Sequence, residues 1–253
     1  MLSRPISARE PAPANDISAE DLTLEALRFE IDRLDDQMLD LLQRRLLLAR
    51  RVGKAKDAPH GPFLNLRPDR EAAVMRRLVG RAGSLARPAV APIWREVIGA
   101  GLAQQGALTI ALWRGAEDGR TWDRARQRFG SQVSYMGAAN PNAALDAAQS
   151  GNAVAVLNLS ADQPWWIDLL RDYPDLWVFE SLDDARGVPV ALAVGRIDPK
   201  ALAKGRTFQV TAGGDAGEGD GRRTLTTHHG WTLAITEGEL PLDRGLGVVG
   251  RTP

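Results

Sequence analysis

The chain contains no cysteine. That removes a disulfide framework, a thiolate nucleophile and any Cys-ligated zinc or iron–sulfur cluster. Neither charge is in excess, because 32 Lys and Arg are matched by 32 Asp and Glu. A surface that binds nucleic acid through overall charge is thereby excluded. No apolar run approaches the roughly 18 residues needed to cross a bilayer, so no membrane partner is expected. The first 19 residues, MLSRPISAREPAPANDISA, lack the apolar core of a secretory signal and read as a disordered tail. His60, His228 and His229 are the only histidines and make no convincing zinc site without cysteine, so neither metal nor cofactor is expected. What remains is a cytoplasmic globular protein. Its 253 residues, 44% hydrophobic, are enough for one large domain or two smaller ones.

Proline is also missing between Asp21 and Asp57, where the only glycine is Gly53. There Leu24, Leu27, Ile31, Leu34, Met38, Leu41, Leu48 and Val52 recur at helical spacing, which predicts one long amphipathic helix. At ~1.5 Å per residue it is a rod of roughly 50 Å, longer than a small domain is wide. Such a leucine stripe buries its face against another chain or a folded-back partner. Pro59, Gly61 and Pro62 end the helix. A second helix is predicted from Pro68 to about Arg81, and a third from Pro88 and Pro92 through Trp94 and Val97 to Gly106.

After Gly106 the rhythm changes. LTIALW (108–113), VSYM (133–136) and AVAVLNL (153–159) read as strands, with helical patterns at 121–129 and 143–149 between them. PWWIDLL (164–170) predicts a further helix, WVFESL and VPVALAVG further strands, and GGDAGEGDG (213–221) a loop. Alternating strands and helices argue for a parallel α/β sheet. The expected fold class is therefore multidomain: a tail over 1–19, an all-α three-helix domain over 20–106 and an α/β domain over 107–253. The helical domain carries 15 basic and 12 acidic side chains, a net +3.

The informative residues are those that interrupt the apolar stripes. The pattern of the first helix, continued past Leu41, lands on Arg45. Lys56 follows eleven residues later, three turns with about 20° of offset, and points the same way. On the second helix Glu71 precedes Val74 and Leu78 at stripe spacing, and on the third Gln105 follows Val97 and Gly101. Four polar groups thus aim at what should be a core, where unpaired charge is costly. A polar, net-positive cavity between helices follows, suited to a small dianion.

Leu27-Arg28, IDRLD (31–35), LLQRR (41–45), VGKAK (52–56), PDRE (68–71) and IWREVI (93–98) leading to Gln105 resemble the all-helical chorismate mutases. The resemblance implies an intertwined homodimer with shared active sites. It also implies conversion of chorismate to prephenate by an intramolecular Claisen rearrangement in phenylalanine and tyrosine biosynthesis. It also implies that Arg28, Arg45 and Lys56 are the cations that bind the substrate's carboxylates and ether oxygen. Arg70 and Glu71 match the family's acidic–basic pair, and Gln105 its ether-contacting glutamine. Arg28 would come from the partner subunit, since on one straight helix it lies roughly 25 Å from Arg45. Two positions depart from the pattern: Asn65 stands where an acidic, substrate-binding residue is usual, and Gly101 where a small polar residue is common.

Residues 108–160 faintly resemble the first lobe of prephenate dehydratase, although the Thr-Arg-Phe motif of that family is absent. This predicts a degenerate lobe with a structural or regulatory role. The competing readings are a non-catalytic, ligand-sensing dimer, a bifunctional mutase/dehydratase, and a helical dimer that binds nucleic acid through Arg44, Arg50, Arg51 and Lys54. The last is disfavoured, because Arg45 and Lys56 of the same run face the stripe.

Overall fold

A computed structural model of the chain describes residues 23–56, 63–64, 66–106, 108–115, 119–160, 162–213 and 221–253. The expected N-terminal tail, Asn65 and most of the loop at 213–221 lie outside the described residues. The chain divides into two compact units, one ending at Gln43 and one from Arg44 to Pro253.

Helix α1 (Leu24–Lys56) runs without a break, as the lack of proline requires. Its stripe is open to solvent in the single chain: Leu34, Met38, Leu41 and Leu48 are each more than half exposed. Helix α2 (Pro68–Gly80) opens with proline in its first turn, where a missing N–H costs nothing. Helix α3 (Arg87–Ala103) opens the same way and carries Pro92 internally.

The remainder is one sheet of nine strands with helices on both faces. Strands β1 (Thr109–Trp113), β2 (Ser134–Gly137) and β3 (Ala153–Asn158) pair in parallel and are joined through α4 (Arg120–Phe129) and α5 (Pro141–Gln149). Helix α6 (Trp165–Arg171) leads to β4 (Trp177–Asp183) and β5 (Pro189–Gly195). Four more strands follow: β6 (Arg206–Ala212), β7 (Arg222–His228), β8 (Trp231–Glu237) and β9 (Val248–Thr252). The order across the sheet is β2-β1-β3-β5-β4-β9-β6-β8-β7.

The expectation of a parallel sheet holds for β1, β2 and β3 and is corrected for the strands that follow. Strand β5 follows β4 through a tight turn at Asp184–Gly187, too short for a crossover, and so runs antiparallel between β3 and β4. Strands β6, β8 and β7 are also antiparallel, and β9 pairs in parallel only with β4. Alternation along the strands builds two cores. Ile110, Leu112, Val154 and Val156 face α4 with Phe129 and Phe179. Ala111, Trp113, Ala155 and Leu157 face α5 and α6 with Trp165 and Trp166. Leu66, just before α2, is buried in the first of these cores, with Leu64 and Leu102 packed against it. The helical segment from Arg44 onward is therefore packed onto the sheet's α4 face.

Candidate active site

Three segments surround a cavity of about 490 Å³. The C-terminal turns of α1 contribute Arg45, Leu48, Ala49 and Val52. α2 and the residue before it contribute Arg67, Arg70, Glu71 and Val74, α3 contributes Ile98, Gly101 and Leu102, and Gln105 follows just beyond the end of α3. Of the residues singled out in the sequence, Arg45, Arg70, Glu71 and Gln105 meet here. Lys56 is the last residue of α1, and its side chain lies outside the described residues, as does Asn65. Arg28 is exposed on the N-terminal part of α1.

Close backbone approach sets the geometry. A Cβ at Gly53 would stand 3.0 Å from the Cα of Gln105, so the missing side chain at residue 53 lets α1 lie close against the turn that follows α3. This approach carries Gln105 to the cavity wall, where its Nε2 donates to the Gly101 carbonyl at 3.3 Å. Gly101 in turn makes room for Arg45: a Cβ there would lie 3.2 Å from the guanidinium Nη1. That same nitrogen donates to the Val97 carbonyl at 2.8 Å. Burial pushes the Arg45 pKa below its usual value, yet an arginine starts so high that it remains cationic.

Arg67 makes a forked pair with Asp69, Nε to Oδ1 at 2.9 Å and Nη2 to Oδ2 at 2.6 Å. That hydrogen bonding raises the Arg67 pKa and lowers that of Asp69. Among the described residues no carboxylate pairs with Arg45 or Arg70.

Glu71 belongs to a buried ionic chain. Its Oε2 lies 2.8 Å from Nη2 of Arg128 and 3.7 Å from Nη1 of Arg95. The first is a close ionic contact rather than an aligned hydrogen bond. Arg128, on α4 and 7% exposed, gives its Nε to Glu180 on β4. Burial works against the Arg128 charge, but Glu180 and Glu71 outweigh it and raise the pKa. Arg95 is shifted the other way, chiefly by burial and then by the nearby Arg128.

Arg67, Arg95, Arg128 and Glu180 escaped the sequence reading, although a signal existed for two of them. Arg128 follows Thr121 by seven and Ala125 by three, on the buried face of α4. Glu180 interrupts the apolar run of β4. Both obey the rule that found Arg45.

Residues 27–106 match the chorismate mutase type II family. Three curated relatives, each named bifunctional chorismate mutase/prephenate dehydratase, also match. The Pseudomonas aeruginosa protein is 33% identical over 127 residues, 49% of this chain and 33% of its own. The Aquifex aeolicus protein is 31% identical over 117 residues, 44% of this chain and 32% of its own. The Stutzerimonas stutzeri protein is 32% identical over 127 residues, with 49% and 33% covered. The chain therefore spans about a third of the length of the relatives it matches. No solved structure matches the chain at a significant level. The all-helical mutase region followed by an α/β region, expected from the residues, is the architecture observed. Among the described residues no helix is long and apolar enough to cross a membrane.

Proposed function

We propose that the chain is a chorismate mutase that converts chorismate to prephenate. The observation that carries this reading is the cavity in which Arg45, Arg70, Glu71 and Gln105 converge. A unimolecular rearrangement needs no nucleophile and no cofactor. It needs its substrate held in the compact, reactive conformer, and cations that grip both carboxylates supply that positioning. Arg45 and Arg70 serve from within one chain, and Arg28 of the partner subunit completes the set. As the C–O bond breaks, negative charge grows on the ether oxygen. Gln105 and Lys56 donate to it there, and this stabilises the transition state more than the ground state. Glu71 orients the substrate hydroxyl.

The homodimer is supported by the leucine stripe of α1. Leu24, Leu34, Met38 and Leu41 are 62%, 51%, 57% and 63% exposed, an apolar face that water does not favour. A second copy of the same helix would cover it. For residues 107–253 we propose a structural and positioning role rather than dehydratase chemistry.

The test follows chorismate loss by ultraviolet absorbance, with Lys56→Ala alongside. Turnover to prephenate is expected, and the substitution should lower kcat by at least about a hundredfold, as loss of an oxyanion donor does. A folded dimer that leaves chorismate untouched would sink the assignment and promote the non-catalytic, ligand-sensing reading.

A further inference from the structure

The ionic chain of Glu71, Arg128 and Glu180 crosses the seam between the helical region and the sheet. We propose that Arg128, contributed by α4 of the α/β region, is a positioning residue of the active site: it fixes the Glu71 carboxylate so that its Oε1 is presented to the substrate. This rests on the mutase reading and assigns the α/β region a part in that site.

Four observations carry it. Glu71 lines the cavity, and both of its described ion pairs fall on Oε2, which turns that oxygen away from solvent. Arg128 is buried and meets the two carboxylates through two nitrogens of one guanidinium edge, Nη2 toward Glu71 and Nε toward Glu180. A planar fork whose two nitrogens are each engaged by a carboxylate from a different element has little freedom to swing, which a single ammonium would not reproduce. The seam around it is also tight. A Cβ at Gly99 of α3 would strike the Phe129 carbonyl of α4. Beside it, Ser131 donates both its N–H and its hydroxyl to Oε2 of Glu96 at 2.9 Å. Glu71 is thus gripped from α4 while it sits on α2, and α4 is locked to α3. The aim of this carboxylate depends on residues beyond the helical region.

The experiment measures kcat/KM for chorismate in the full-length wild type, in the double variant Arg128→Met/Glu180→Met, and in each of these with Glu71→Gln added. The double variant removes one cation and one anion. Arg95 and Glu71 then remain as a balanced pair, and apolar replacement of a buried ion pair is the change most compatible with folding. Circular dichroism and sedimentation confirm the fold and assembly. We expect about a tenfold loss of kcat/KM from the double change. In the Glu71→Gln background the same change should cost less than about twofold, because residues that act as one unit are not additive. Wild-type kcat/KM in the double variant, or a loss of equal size in both backgrounds, would overturn the proposal. If the double variant does not fold, Arg128→Lys replaces it, keeping the charge but not the fork. Its loss of kcat/KM must likewise vanish in the Glu71→Gln background, and full activity or an equal loss in both overturns the proposal. An inactive wild type refutes the mutase reading itself and this inference with it, whereas an active wild type with indifferent variants refutes only the inference.

Discussion

Replacing Gly99 by alanine is the sharpest test of how the helical region is seated on the sheet. Gly99 is buried in the C-terminal half of α3, and the nearest atoms an added methyl would meet belong to backbone. It would strike the Phe129 carbonyl oxygen, lie 3.1 Å from that carbonyl carbon and 3.3 Å from the Cα of Gly130. Backbone cannot turn aside as a flexible side-chain end can, so α3 must lift away from the C-terminus of α4. Overpacking of this kind costs about 2–3 kcal/mol at its upper end. Against it stands the helix preference of alanine over glycine, about 1 kcal/mol. The balance is about 1–2 kcal/mol of destabilisation, which for a protein of this size lowers the melting temperature by about 2–8 °C. Gly80 supplies an internal control, since it ends α2 with nothing within 4 Å of the site of a Cβ. Gly80→Ala should therefore hold or raise the melting temperature. Differential scanning calorimetry on both variants decides the matter. A Gly99→Ala protein as stable as the wild type, with Gly80→Ala also stabilised, would show that α3 and α4 do not approach this closely.

Two further outcomes follow from the geometry. The chain has only two tyrosines, and both resist ionisation. Tyr135 is pushed up to about 12 by burial, and Tyr173 to about 12 by burial and its hydrogen bond to Asp146. Both are acids whose folded pKa exceeds the unfolded value near 10, so the stability they lend is complete below about pH 10 and is lost as pH rises toward 12. Absorbance at the phenolate band should stay flat to pH 10.5 in the native protein and rise at that pH in urea; native phenolate at pH 10 would contradict the placement of these rings. In the N-terminal unit, Leu34→Lys with Met38→Lys puts two charges on the exposed stripe. Sedimentation should then show a monomer that has lost mutase turnover, and an active dimer would refute the proposed pairing through α1.

The elements legible in the sequence were those whose local pattern and tertiary fate agree. α1 could be read because an uninterrupted stripe without proline has no alternative to a helix. Arg45, Glu71 and Gln105 could be picked out because each interrupts an apolar stripe, and all three line one cavity. β7, by contrast, reads RRTLTTH and packs only the partly buried Leu225 against the core, so its place is set chiefly by pairing with β8. The insertion of β5 between β3 and β4 is likewise a property of the sheet, invisible to any local window. Pairings distant in sequence hid the ionic chain as well, since Glu71 and Glu180 meet the same guanidinium from opposite sides of the seam.

Why that seam should hold ions at all is the more instructive question. Leu64, Leu66 and Leu102 already pack the helical segment against the core beneath α4, and this apolar contact stabilises without a desolvation penalty. Burying Glu71, Arg128 and Glu180 beside it costs solvation for three charges, and such groups often add little to stability compared with apolar replacements. Apolar surfaces, however, tolerate sliding and rotation, while a guanidinium held through two nitrogens by carboxylates of two elements accepts few orientations. A seam built for adhesion alone would not need the second. Its effect falls on the one member of the chain that also lines the cavity, and there a carboxylate misplaced by 1 Å would cost turnover rather than stability.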